Sequence, residues 1–582
     1  MVSITSFSYR YFNWAGAILS KTFYSEKHVN LAEELEDAGL KVYPEAYFSA
    51  VGLFLVLSII AAVPIILLTG FILLSFVPFF VILLGYAIPK TMAYERASKL
   101  DIEVPFAGTY ISVMATGGLS PYASLKKLKG CTLLPNISKA VKNIEVDVLV
   151  KGFDPVTAME KSAQHLPSKD YKDLMLGYTS TLRSGGDVIH YLSIRTEKMF
   201  RDLGVKVRAF GERASMLMES YIAISILLTL SLTIIFMTSI AFESFWQGGF
   251  TVGNFLLYSF FVVPGISILF IYLADSSQIH EPVSEWGSYK VFLATSPLMI
   301  FLIFVMYLPF AAPESALPFS KPFVDFVTFC TQIANLERGY EASIGMAIAL
   351  LVGTVPAAFA NHYYSTRGKG IENDVTIFLR DFTETRKTGA SPEKCIENLA
   401  KRNYGSFSKH LVVASRQIRW GLPFKVIYET FRKKIKSWMA LINLYLLVDA
   451  IEVGGGAPET LETLTKFSEM LSSLEKEKKA MLRPLLIIPY IGCGIMLFST
   501  IVFVGFMRFV LLSLAQQSLP FGQFVTIILP PLILQAYLTG LVTGKIGSGT
   551  LSNGFKHASI LVILGLALIP LTGLVTMPFQ WG

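Results

Sequence analysis

Two blocks of charge set between long uncharged runs constrain this chain more than any other feature. Residues 90–220 and 363–483 hold 40 of its 50 Lys and Arg, and apolar stretches dominate the remainder. With 53% hydrophobic and 16% charged residues and a mean hydropathy of +0.54, the composition departs from a soluble globular average toward a polytopic membrane protein. A helix needs about 20 apolar residues to cross a bilayer, and on that measure the sequence predicts about nine crossings. They are 47–69 and 71–89, a hairpin turning at Thr69-Gly70, then 221–241, 252–274, 291–312, 342–362, 484–507, 523–544 and 557–577. Lys- and Arg-rich segments stay on the cytoplasmic side. Both blocks are therefore expected in the cytosol and the chain in the cytoplasmic membrane, with Lys545 and Lys556 bracketing a short cytosolic loop. Residues 1–46 read as a cytosolic lead with one amphipathic helix carrying Leu31, Leu35 and Leu40.

The two blocks share their punctuation. In the first, Gly117-Gly118-Leu119-Ser120-Pro121 opens a helical pattern; in the second, Gly389-Ala390-Ser391-Pro392 does so. Gly152-Phe153-Asp154-Pro155 is matched by Gly421-Leu422-Pro423, and Ser184-Gly185-Gly186-Asp187 by Gly454-Gly455-Gly456-Ala457. Pro121 to Gly186 is 65 residues and Pro392 to Gly456 is 64. Retained spacing over diverged residues marks a repeated module. Neither block shows an alternating strand pattern, so the expected fold is all-α: helical-bundle modules at 90–220 and 363–483, with membrane segments at 47–89, 221–362 and 484–582. Asp187 suits an N-cap and Pro458 a first helical turn. The last helix of each module is expected to run on into the next crossing, across Met216–Tyr221 and Met481–Leu485.

No catalytic centre emerges. The Gly-x-x-x-x-Gly-Lys-Ser/Thr loop that cradles nucleotide phosphates is missing, and no two histidines flank a glutamate at zinc-hydrolase spacing. The glycine runs read as turns. Cys131, Cys330, Cys395 and Cys493 are scattered without metal or disulfide spacing. Glu219, Glu243 and Asp275 fall at the edges of crossings, which speaks against a transporter with midplane ionisable groups. Gln535 near Pro530-Pro531 is the most suggestive polar group inside a crossing. No cofactor, metal or nucleic acid is expected. Two basic clusters remain: Lys126, Lys127 and Lys129 in module one, and Arg432, Lys433, Lys434 and Lys436 in module two. They suit either lipid head groups or an acidic soluble partner.

The duplicated Gly-Leu-Ser-Pro and Ala-Ser-Pro starts, Gly-Phe-Asp-Pro at 152–155, and the Gly-Gly turns at 184–187 and 454–456 resemble the type II secretion F-domain family, in its large archaeal form. That resemblance implies a non-enzymatic membrane platform of a type IV pilus-like machine, or of an archaellum. The platform would couple a cytosolic hexameric secretion ATPase to pilin-like subunits, with the chain as a homo-oligomer. The ATPase would dock on the two basic clusters. Module two departs from the pattern where Ala457 stands in the place of Asp187.

Overall fold

The computed structural model describes residues 9, 35, 38–40, 42–69, 77–241, 251–278, 286–311, 318–334, 336–366, 370–454, 456–513 and 521–570. Gly455, Gly70, Glu243 and most of the N-terminal lead lie outside them. Among the described residues there are helices and no strand, in an all-α polytopic arrangement. Seven helices among the described residues are long and apolar enough to cross a membrane. They overlap the expected crossings from residue 221 onward, of which residues 312 and 571–577 lie outside the described set. The crossings expected at 47–69 and 71–89 fall on α1 (Pro44–Thr69) and the first turns of α2 (Val77–Thr116), where several side chains lie outside the described set. Tyr47 Oη donates to Gly85 O at 2.8 Å, which fastens α1 along α2.

Helix α2 does not stop at the edge of the charged block. Its 40 residues run from the apolar arm past Pro89 and Pro105 into module one, and there it is followed by α3 (Pro121–Lys127), α4 (Pro135–Leu149), α5 (Pro155–Gln164), α6 (Lys169–Arg183) and α7 (Val188–Ala241). At 54 residues, α7 is about 80 Å long and joins the module to a crossing without interruption. Then come α8 (Val252–Ser277) with a π-helical turn at Tyr258–Val262, α9 (Gly287–Met306), α10 (Lys321–Ile333) and α11 (Glu341–Thr366).

Module two repeats the six-helix order: α12 (Ile371–Lys387), α13 (Pro392–Leu399), α14 (Ser408–Arg419), α15 (Phe424–Lys434), α16 (Trp438–Gly454) and α17 (Pro458–Leu482). Its junctions differ from those of module one. The chain enters α12 through Gly370 at φ 82°. On the far side, the helix expected to continue across Met481–Leu485 is broken: α17 ends at Leu482, a 3₁₀ turn occupies Pro484–Leu486, and α18 (Ile488–Ser513) starts afresh. Pro484 has no N–H to offer an α-helical ladder, and Ile487 N bonds instead to Pro484 O at 3.1 Å.

Helices α19 (Phe521–Ser548) and α20 (Leu551–Leu568) close the described chain. They cross closely, because a Cβ on Gly544 would lie 2.0 Å from Gly554 N and one on Gly540 2.2 Å from Ala558 Cα. Small residues four apart allow such an approach between membrane helices. Lys545, expected at the edge of a solvated loop, is only 8% exposed. Its ammonium is held by Asp275 and by Gln278 Oε1 at 2.9 Å, so the loop between these helices carries less positive charge than the sequence suggests.

Candidate functional site

The site is built from the turns upward. Six glycines hold left-handed backbone at matched places: Gly118 (φ 92°), Gly152 (72°) and Gly185 (72°) in module one, Gly389 (84°), Gly421 (75°) and Gly456 (66°) in module two. A side chain at such φ is strained, which accounts for the shared punctuation. After the first turn of each module, Ser120 and Ser391 cap the next helix, accepting from Ala123 N at 3.3 Å and Lys394 N at 3.4 Å. Pro121 and Pro392 fill the first helical turn. Asp187 accepts from His190 N at 3.0 Å. Ala457 has no such group, and Arg386 braces that turn in a different way. It donates Nε and Nη2 to Gly456 O at 3.0 and 2.9 Å and Nη1 to Ala390 O. Gly454 is the last residue of α16. Gly117 sits against module two, since a Cβ there would lie 3.8 Å from Thr460 Oγ1.

The two modules form one body with one hydrophobic core, which the sequence reading did not foresee. Phe106 meets Trp438 edge-on at 4.7 Å, and Trp438 Nε1 donates to Leu133 O at 2.8 Å. One turn along α2, Tyr110 stacks on Tyr445 at 5.9 Å and donates to Asp449 Oδ2 at 2.7 Å. Beside this seam, α7 and α17 run parallel. Phe467, Leu474 and Met481, seven residues apart, meet Phe200, Gly204 and Gly211: the Phe200 and Phe467 rings are 5.6 Å apart, and Cβ atoms on the two glycines would come within 3.0 Å of Leu474 and 2.7 Å of Met481. Lys466–Glu197 at 2.8 Å and Arg208–Glu477 at 2.5 Å flank the seam. A seven-residue repeat is the seam of a parallel coiled pair. The available signal was α16 itself, whose Trp438-Met-Ala-Leu-Ile-Asn-Leu-Tyr-Leu-Leu-Val448 run is apolar on nearly every face and must be covered all round.

Both basic clusters are exposed, and the structure brings part of them together. Lys127 and Arg432 stand on a cleft of about 300 Å³ between the modules, along with Lys425, Tyr428, Tyr445, Asp449 and Glu452. Burial and the neighbouring Asp449 push the hydroxyls of Tyr110 and Tyr445 up, so both remain donors. Lys129 pairs with Glu145 and Arg432 with Glu429. Lys436 of the second cluster points elsewhere: its Nζ lies 5.4 Å from the Tyr364 ring, near the end of the apolar helix α11.

Two further features escaped the sequence reading. Glu103, 0% exposed, caps α4 by accepting from Asn136 N and Ile137 N at 2.9 Å and Asn136 Nδ2 at 2.7 Å. Asp374 does the same job in module two, accepting from Ser406 N and Oγ at 2.8 Å. Each acid lies fifteen residues ahead of the first left-handed glycine. A lone acid in the apolar run Ile102–Val113 was the clue. The second feature is a collar where the body meets the crossings. Met218, Tyr221 and Ile222 of α7 pack there with Leu482, Leu485, Phe270 of α8, and Val542 and Ile546 of α19.

The family model "Type II secretion system (T2SS), protein F" matches residues 109–236 and 378–505. Each match runs from the first helix of a module through its last helix into a crossing. "Uncharacterized protein MJ1286" of Methanocaldococcus jannaschii is 20% identical over 510 residues, covering 84% of this chain and 82% of its own length. No solved structure matches. Duplicated turns, duplicated helix order and a duplicated match agree: the chain is a polytopic membrane protein that carries the type II secretion system protein F domain twice.

Proposed function

We propose that this chain is the membrane platform of a type IV pilus-like assembly machine, with both modules in the cytoplasm. A cytosolic hexameric ATPase moves the two-module body, and the motion reaches pilin-like subunits through the crossings. The observation that carries this reading is α7, a single 54-residue helix from the glycine turn of module one through the collar into the bilayer. Lys126, Lys127, Lys129, Arg432, Lys433 and Lys434 serve the ATPase, whereas Lys436, beside Tyr364 at the end of α11, faces lipid head groups. Module two moves because it is cemented to module one, since it is hinged at Gly370 and Pro484. A Gly-Ser insertion within Met216–Tyr221 is expected to abolish filaments while the protein stays in the membrane. The same insertion within Met481–Leu485, where the helix is already broken, is expected to be milder. Normal filaments from the α7 insertion would refute the reading, and so would reporter fusions near residues 150 and 430 on opposite sides of the bilayer.

A further inference from the structure

Among the crossings, α7 carries a line of hydroxyls. Tyr221, Ser225, Thr229 and Thr233 recur every fourth residue and so stand above one another on one face. They look toward Gln535 and Thr539 of α19 and toward Ser259 and Ser267 of α8. Gln535 is 2% exposed. Its Nε2 donates to Ser225 Oγ at 2.5 Å and Tyr221 Oη at 3.3 Å, and Tyr221 Oη lies 3.2 Å from both Ser267 Oγ and Thr539 Oγ1. Two atoms of this seam are left over. Gln535 Oε1 and Thr229 Oγ1 are shut off from solvent, and neither has a hydrogen-bond partner among the described residues. Both residues border the same small space, with Thr233, Ser259 and Pro531, in which about 10 Å³ is open to the centre of a water molecule.

A bare amide oxygen in apolar surroundings is unfavourable, and a space of that size beside polar partners accommodates one water. We infer that this space is a binding site for a single water molecule, which donates to Gln535 Oε1 and shares a hydrogen bond with Thr229 Oγ1. A cation fits poorly, because the lining offers no carboxylate to offset its charge inside an apolar bundle. On the platform reading, the water lets Gln535 exchange partners along the hydroxyl line as α7 shifts. The site itself does not depend on that reading.

The test is a sign test on the purified full chain in detergent micelles. Thr229→Val keeps the volume and removes the hydroxyl. In a dry space it deletes a bare polar atom, and the midpoint of thermal unfolding holds or rises. With the water present it falls by about 2 °C, whereas Thr229→Ser leaves it closer to the parent. A hydroxyl bonded back to its own helix would also give a fall, so Thr229→Val is repeated in a Gln535→Leu background, where the water has lost its acceptor. Disappearance of the fall there supports the shared water. An equal fall in both backgrounds overturns it, as does an unchanged or raised midpoint in the single variant. Gln535→Met replaces Gln535→Leu if the latter does not fold. Filament assembly is not the readout, so failure of the platform reading would not disturb the result.

Discussion

Glu103 shows how much one side chain can decide. Three donors converge on its carboxyl, which favours the charged form, yet burial outweighs them and pushes its pKa up from 4.5 to about 7. In the unfolded chain the proton leaves near pH 4.5; in the folded chain it leaves near 7. Between those values the folded state binds more protons, so the contribution of Glu103 to stability is full below pH 4.5, declines as pH rises and is lost above about 7. The difference amounts to about 3 kcal/mol. Glu103→Gln keeps an acceptor for the two amides and cannot ionise. The difference in unfolding midpoint between parent and variant should therefore change with pH from 4.5 to 7 and level off above, as calorimetry in micelles would record. A pH-independent difference would show that Glu103 is ionised throughout. The glycine turns were legible in the sequence because a left-handed backbone restricts the residue type. Glu103 was not, because its partners lie more than 30 residues away and only folding brings them to it.

Helices, by contrast, announce themselves through periodicity, and the helical character of the modules was legible in the sequence. Their interruptions were harder to read. Pro484 was visible, yet its consequence depends on whether neighbouring packing tolerates a lost ladder bond. Pro105 sits inside the unbroken α2, whereas Pro484 begins a separate 3₁₀ turn. Glycines inside crossings are similarly ambiguous until the neighbour is known. A Cβ on Gly544 would meet the backbone of Gly554 at 2.0 Å, and one on Gly494 of α18 would meet nothing within 4 Å. Gly544→Val must therefore push α20 off α19, with a destabilisation of about 3 kcal/mol. Gly494→Ala should be neutral or slightly stabilising. Comparing the two unfolding midpoints checks the pair, and an equal loss at both sites would mean that the close crossing of α19 and α20 is not what Gly544 protects.

At the level of the whole molecule the question is whether the two modules part during work. Their division into repeats was legible from spacing, but their union was not, because the contacts join residues about 270 or more positions apart and no local pattern records them. The shared seam combines aromatic pairs, each worth about 0.5–1.5 kcal/mol beyond the area it buries, with a parallel helix pair packed closely at Gly204 and Gly211. Such an interface resists opening, so the body should act as a rigid block, which α7 joins without a break to a crossing. A Cβ on Gly204 would lie 3.0 Å from Leu474 Cδ2, so the variant Gly204→Cys with Leu474→Cys sets two thiols across the seam, which bridge if the Cβ atoms settle at about 3.5–4.5 Å. On the proposed platform function, oxidised and reduced forms of this variant should assemble filaments equally well, because the bond only fixes what packing already holds. If the oxidised form reaches the membrane but makes no filaments, and reduction restores them, the modules separate in each cycle and the rigid-block account fails.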